Sequence, residues 1–316
     1  TLMDNKTGII SILGSGTMGH SIALAAAMAS FNVRVYGINE TDLTNARKGL
    51  EQKITILVAN EVLSQQQGDE AFERIGLSMD LEDVVKDTTL IIEAIPENLE
   101  LKQDIYAQLE ALVDEKTIIA SNTSGIMPSL LAEKMKYPNR LVITHFYNPA
   151  HLVPLVEVVK GKKTDETTVE RVMAIMKALN KKPIKIEKEI AGFVGNRLQF
   201  ALFREAQYLY NEGIASKEDI DAAVKYSIGR RLSVTGPLLS ADMTGLDVVK
   251  DICNYLFAEL NNDKRVGESI NALVSNNELG YKTGKGYYEW TDKFSKEINE
   301  AREQMLIEHL KKDLQT

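Results

Sequence analysis

A single cysteine, Cys253, stands in a chain of 316 residues. No intramolecular disulfide can form, and a reducing compartment is the expectation. Only four histidines are present, and none groups with Cys, Asp or Glu at metal-ligand spacing, so no metal site is expected. Proline is held to 7 residues, and with 20 glycines it is too sparse for a collagenous or low-complexity chain. No apolar run reaches the roughly 20 residues needed to cross a bilayer. The N-terminus lacks the basic-then-apolar order of a secretory leader, which predicts a cytoplasmic protein with no membrane partner. Basic residues are in deficit as well, 37 Lys and Arg against 45 Asp and Glu, for a net charge of −8. That balance excludes a general nucleic-acid binder, which needs a basic face for phosphates, but leaves room for a locally held small anion. What remains, 44% hydrophobic and 26% charged residues, is the composition of an ordinary globular protein, long enough for about two domains.

From residue 8 to about residue 187, short β-branched runs alternate with longer amphipathic segments, the order expected of βαβ units around a parallel sheet. Strand candidates are 8–13, 33–38, 89–95, 117–120, 141–145, 155–159 and 183–186. Helix candidates between them are 17–30, 43–63, 99–112 and 166–179. Beyond Gly192 the pattern predicts helices only, at 193–212, 216–226, 246–260 and 295–314, with Ser216 and Asp219 as a capping pair. The chain therefore divides into an α/β domain, 1–188, and an all-α domain, 189–316.

The first strand candidate runs into Gly14-Ser15-Gly16-Thr17-Met18-Gly19 and then an alanine-rich helix. A GxGxxG placed between a strand and a helix has a mechanism. The first glycine makes the turn, the second lets backbone approach a pyrophosphate, and the third lets helix and strand pack closely. Gly14, Gly16, Thr17, Met18 and Gly19 are thus candidate binding residues for a dinucleotide. The acid expected about 20 residues later, on the adenosine ribose, is absent: Gly37 stands there, with Asn39 or Glu40 as substitutes. No Arg or Lys follows to favour a 2′-phosphate, so NAD is the expected cofactor.

Polar residues also interrupt apolar sequence in Ser121-Asn122-Thr123-Ser124, in Thr144-His145-Phe146-Tyr147-Asn148-Pro149, at Glu157 and at Asn196. Burial there would demand partners. Taken one by one, each is weak evidence: a lone histidine near a strand end is more often structural than catalytic, and a strand glutamate more often a solvated or edge residue.

With Glu93-Ala94-Ile95-Pro96-Glu97-Asn98, Gly192-Phe193-Val194-Gly195-Asn196-Arg197 and Gly284-Lys285-Gly286-Tyr287-Tyr288 added in their order, the chain resembles the short-chain L-3-hydroxyacyl-CoA dehydrogenase family over nearly its whole length. The resemblance implies a Rossmann-type, mostly parallel sheet domain followed by an all-α C-terminal domain. It implies His145 as the catalytic base and Glu157 as its carboxylate partner, with Ser124 and Asn196 as the remaining polar groups around the reacting oxygen. It places Glu97 and Lys102 at the nicotinamide-side ribose, and Asn122 joins the cofactor set. Such an enzyme is a homodimer through its helical domain and belongs to fatty acid metabolism. The assignment makes chemical sense, because oxidising a secondary alcohol needs a base of near-neutral pKa as hydride leaves the same carbon.

The substrate implied is a short L-3-hydroxyacyl-CoA, oxidised to the 3-ketone. CoA phosphates call for basic residues in the helical region after the second strand, and 54–62 holds no Lys or Arg; Arg47, Lys48 and Lys53 lie upstream. Met127-Pro128-Ser129 and the charged helix beyond Trp290 are similar instead to the lambda-crystallin and L-gulonate 3-dehydrogenase group, which oxidises a free sugar acid. Residues 281–288 resemble the acyl-CoA enzymes better, and the balance favours acyl-CoA. A catalytically weak, crystallin-like structural protein is the third reading, against which the full set Ser124, His145, Glu157 and Asn196 argues.

Overall fold

The computed structural model describes residues 8–315; residues 1–7, which bear on the leader reading, and Thr316 lie outside them. The chain folds into two compact units, one running to Val194 and resuming at Ala301, the other Gly195–Glu300. The sequence pattern instead places the division at 188 and gives the whole tail to the helical part.

The first unit is built on one eight-stranded sheet. In chain order its strands are β1 (Ile9–Leu13), β2 (Asn32–Tyr36), β3 (Ile75–Ser78), β4 (Thr88–Glu93), β5 (Ile118–Ser121), β6 (Leu141–Phe146), β7 (Leu155–Val159) and β8 (Lys182–Ile186). They lie in the order 3-2-1-4-5-6-7-8, and every neighbouring pair is parallel except β6 and β7. The helices of this part are α1 (Thr17–Met28), α2 (Glu40–Ala59), α3 (Gln65–Glu73), α4 (Leu81–Val85), α5 (Leu99–Leu112), α6 (Pro128–Leu131) and α7 (Glu166–Ala178). Side chains alternate across a strand, so each apolar run serves both faces. Ile10, Ile12, Leu90, Ile92, Ile118 and Ala120 face one cluster with α1 and α7. Leu13, Ile91, Ile119 and Ile143 face another with α4 and α5. Continuous rather than alternating hydrophobicity is what a sheet covered on both sides requires.

The sequence pattern omitted β3 and the short helices α3, α4 and α6 of this unit. β3 is an edge strand of four residues, too short to show a period. α3 follows a break at Asn60 and is opened by a capping box between Ser64 and Gln67, so the single helix expected over 43–63 is really α2 followed by a turn.

The second unit holds α8 (Gly195–Asn211), then α9 (Lys217–Ala223), which continues through a π-helical turn into α10 (Gly229–Leu232). After these come α11 (Pro237–Thr244), α12 (Leu246–Leu256) and α13 (Glu268–Ser275). Ser216 does cap α9: its hydroxyl accepts from the Asp219 N–H at 3.1 Å. The expectation of helices alone needs one correction, because Gly280, Lys285 and Glu289 form antiparallel bridges across the glycine-rich turn. Last comes α14 (Asp292–Gln315). Its buried Ile307 and Leu310 join Leu24 of α1 and Leu50, Ile54 and Leu57 of α2 in a third apolar cluster. No helix among the described residues is long and apolar enough to cross a membrane.

Candidate active site

β1 lies between β2 and β4, so connections leave it in opposite directions and open a crevice at the carboxyl ends of the strands. The glycine loop sits at that end. Gly14 has φ +104°, and a Cβ there would collide with the Ala94 carbonyl; a Cβ on Gly19 would strike the Gly14 carbonyl oxygen. A Cβ on Gly16 would meet nothing within 4 Å. Two glycines are therefore compelled by turn and packing, while the middle one faces open space. That is the cradle a pyrophosphate needs at the start of α1, so the residues present fit the dinucleotide. Thr17 is exposed on the first turn, whereas the Met18 side chain packs on the core. Asn39 is turned to a different use from the one expected of it: it is the N-cap of α2, accepting from the Asp42 N–H at 2.8 Å and donating to the Asp42 carboxylate at 3.1 Å.

His145 and Glu157, twelve residues apart in sequence, are direct cross-strand partners in the antiparallel β6–β7 pair. His145 Nδ1 lies 3.0 Å from Glu157 Oε1, and the carboxylate is wholly buried. A carboxylate only accepts, so Nδ1 carries a proton, and in the neutral ring Nε2 holds the lone pair. Glu157 also accepts the Tyr147 hydroxyl at 2.6 Å and the Val194 N–H at 2.8 Å. The imidazole is further held by the rings of Tyr147, centroids 4.7 Å apart, and Phe193, 5.6 Å. Tyr147 and Phe193 stand in the quoted motifs, but nothing in their spacing announced that they flank the histidine. His151, the nearest rival base, is buried, and that burial, with Lys53, Lys181 and His20 nearby, pushes its pKa down to about 3. Such a group takes a proton poorly at neutral pH.

A second buried carboxylate closes β4. Glu93 accepts from Lys102 at 2.7 Å, the Ile95 N–H at 2.8 Å, the Ser121 hydroxyl at 2.7 Å and the Tyr106 hydroxyl. Burial and the Glu93 charge hold the Tyr106 phenol well above its usual pKa. Lys102 is buried and reaches Glu97 as well, at 3.3 Å. The half-exposed Glu97 in turn accepts the Thr123 hydroxyl. Lys102 is thus engaged by two carboxylates, so of the pair assigned to the nicotinamide-side ribose Glu97 is the one open to solvent. Glu93 and Tyr106 went unassigned in sequence, although a glutamate closing an apolar strand is the same signal that singled out Glu157.

The Asn122 side-chain oxygen accepts from the Phe146 N–H at 2.9 Å, tying the end of β5 to the residue after His145. Ser124 is exposed two residues on. Asn196 lies in the first turn of α8, in the second unit. No group of three or more His, Cys, Asp or Glu side chains among the described residues could hold a metal.

A glycine cradle at a topological switch point, with a carboxylate-held imidazole on the same sheet, defines a nicotinamide-dinucleotide-dependent oxidoreductase. The 3-hydroxyacyl-CoA dehydrogenase NAD binding domain matches residues 9–190 and the C-terminal domain of the same family matches 192–290. The chain belongs to the 3-hydroxyacyl-CoA dehydrogenase family. It is 33% identical over 298 residues to a 5-formyl-3-hydroxy-2-methylpyridine 4-carboxylate 5-dehydrogenase of Mesorhizobium japonicum, covering 94% of this chain and 96% of that one. A human lambda-crystallin homolog is 35% identical over 238 residues, 75% of each chain. Among solved structures, a dehydrogenase of the same pyridine carboxylate, described as an NAD+-dependent dismutase, gives a TM-score of 0.87 at 33% identity over 95% of this chain and 96% of that one. The (S)-3-hydroxybutyryl-CoA dehydrogenase of Ralstonia eutropha gives 0.75 at 35% identity, over 90% and 99%.

Proposed function

We propose that this NAD-dependent oxidoreductase oxidises the hydroxyl-bearing carbon of a compact carboxylic acid rather than of a CoA thioester, with His145 as the base. The observation that carries the chemistry is the His145–Glu157 pair across β6 and β7. Nε2 takes the hydroxyl proton while Glu157, on the other ring nitrogen, stabilises the imidazolium that forms. NAD, when bound, supplies the hydride acceptor. Ser124 and Asn196 are proposed, from their motif positions, as hydrogen-bonding groups for the reacting oxygen, where they would steady developing charge.

Support for a compact acid comes from the cations upstream of 54–62. Lys53 is taken up by His20, Nζ to Nε2 at 2.9 Å, which leaves Lys48 and Arg47, stacked 5.8 Å from the Phe72 ring centre, of the three for a phosphate. The inner face of α2 is covered by α14, which lies beyond the residues matched by the family's C-terminal domain. The overlap with the pyridine carboxylate dehydrogenase points the same way. The acyl-CoA reading is the second, favoured by the family's own substrate. Following NADH absorbance with a panel of free hydroxy acids, L-gulonate and pyridine carboxylates among them, and separately with acetoacetyl-CoA separates the two. The expected result is turnover of a free acid at a kcat/KM at least about 100-fold above the thioester, as loss of several phosphate contacts on one side should produce. Efficient turnover of the thioester alone overturns the compact-acid reading, and turnover of neither revives a structural protein.

The same reading makes the protein a homodimer through its helical part. No residue of 195–300 is buried, and Leu238, Val234 and Met243 are 85%, 84% and 73% exposed. Apolar surface on that scale is what an association face presents. Sedimentation equilibrium at micromolar concentration should give twice the chain mass, and a monomer there would remove this element of the proposal.

A further inference from the structure

Nicotinamide sites that select NAD place an acid at the end of the second strand, where it accepts from the adenosine ribose hydroxyls and repels a 2′-phosphate. Here the residue after β2 is Gly37, and the space a side chain would take is already occupied. A Cβ on Gly37 would collide with Leu43 Cδ2 and stand 2.9 Å from Ser15 Oγ. Ser15 belongs to the glycine loop and is buried. Its carbonyl is held by His20 Nδ1 at 3.2 Å, and His20 Nε2 is held by the Lys53 ammonium at 2.9 Å. An ammonium only donates, so Nε2 carries the lone pair and Nδ1–H donates to Ser15. Even Gly49 fits this brace, since a Cβ there would meet the His20 ring. The space beside Gly37 is therefore taken by Leu43 and by Ser15, whose backbone the buried His20 ties down.

The neighbouring polar groups do not replace the acid. The Asn39 amide is engaged at both ends by Asp42 and carries no charge with which to repel a 2′-phosphate. Ile38 is 75% exposed and its side chain offers no hydrogen bond. The carboxylates nearby are Glu40, exposed on the first turn of α2, Asp42, which accepts from the Asn39 amide, and Asp80, which caps α4.

We infer that Gly37 makes this enzyme nearly indifferent to the adenosine 2′-phosphate, so that it binds NADP about as tightly as NAD. Without a carboxylate at the strand end, NAD loses a charge-assisted hydrogen bond and NADP loses its repulsion, and the two effects act in the same direction on the ratio.

Titration of the full-length protein with NADH and NADPH, read by nicotinamide fluorescence and by calorimetry, tests the inference without turnover. The two dissociation constants should agree within about fivefold, less than one charged hydrogen bond and one repulsion would give. NADH binding more than about fivefold tighter overturns it. Gly37→Asp in a Leu43→Ala background, which makes room for the side chain, should raise the preference for NADH at least about tenfold over the background variant. Gly37→Ala in the same background should move both ligands alike. Glu40→Gln should leave the ratio unchanged; a fall in NADH preference in that variant would identify Glu40 as the missing acid and overturn the role of Gly37.

Discussion

Glu93 and Glu157 are both wholly buried and both sit within apolar strands of one sheet, yet their surroundings differ in one respect. Glu93 faces a permanent cation, Lys102, and has Tyr106, Ser121 and a backbone N–H for its remaining lone pairs. Glu157 faces an imidazole that can be neutral or charged. A carboxylate against an ammonium is at rest: its pair is formed on folding and only breaking it has consequences. A carboxylate against an imidazole gains its strongest partner only when the ring takes up a proton, so its stabilisation grows during the reaction. One buried glutamate braces the ends of β4 and β5, and the other is proposed to drive proton transfer. Register is what separates them, because only the antiparallel β6–β7 pair sets a histidine directly opposite a glutamate.

Substitutions at each end of the comparison should therefore fall on different observables. His145→Ala should lower kcat by about 10²- to 10⁴-fold with folding intact, as removal of a general base does; wild-type kcat would transfer the role to another group. Glu93→Gln should do the reverse, destabilising the fold by about 1–3 kcal/mol, because the buried Lys102 then keeps only the half-exposed Glu97 as counter-charge. Urea unfolding measures this, and a loss below about 1 kcal/mol would mean that the network relaxes around the amide. Glu157→Gln belongs with the histidine. It should cost about 10- to 100-fold in kcat, the value of one hydrogen bond to a charged group, and displace the acid limb of the pH–rate profile downward because the imidazolium loses its counter-charge. An unmoved acid limb would break the distinction between the two glutamates. Tyr147→Phe should give the smallest effect, up to about tenfold in kcat, since Glu157 keeps its other partners.

Much of this was legible in sequence because the rules involved are local. The glycine loop announces itself by a strand before it and a helix after it, and Gly14 and Gly19 prove to be needed for the steric reasons the motif implies. His145 and Glu157 stand out as polar residues in apolar strands. Where pattern reading fell short, the deciding contact is distant. β3 has four residues at the sheet edge, and its strand character comes from pairing with β2. Asn39 looked like a ribose ligand until its amide proved to cap α2. Lys102 matches a cofactor position, yet burial turns it toward Glu93.

Composition, periodicity and motif order by themselves determined an α/β fold with a helical C-terminal part and the place of the dinucleotide cradle, and they singled out His145 and Glu157 as candidates. These follow from backbone preference and from side-chain chemistry, which every residue carries with it. Only the tertiary structure decided that β7 runs against β6, that Ser15 and Leu43 fill the space beside Gly37, and that α14 returns to cover α2. Each of these depends on which surfaces meet across tens or hundreds of residues, and burial fixes that only after the chain has closed on itself.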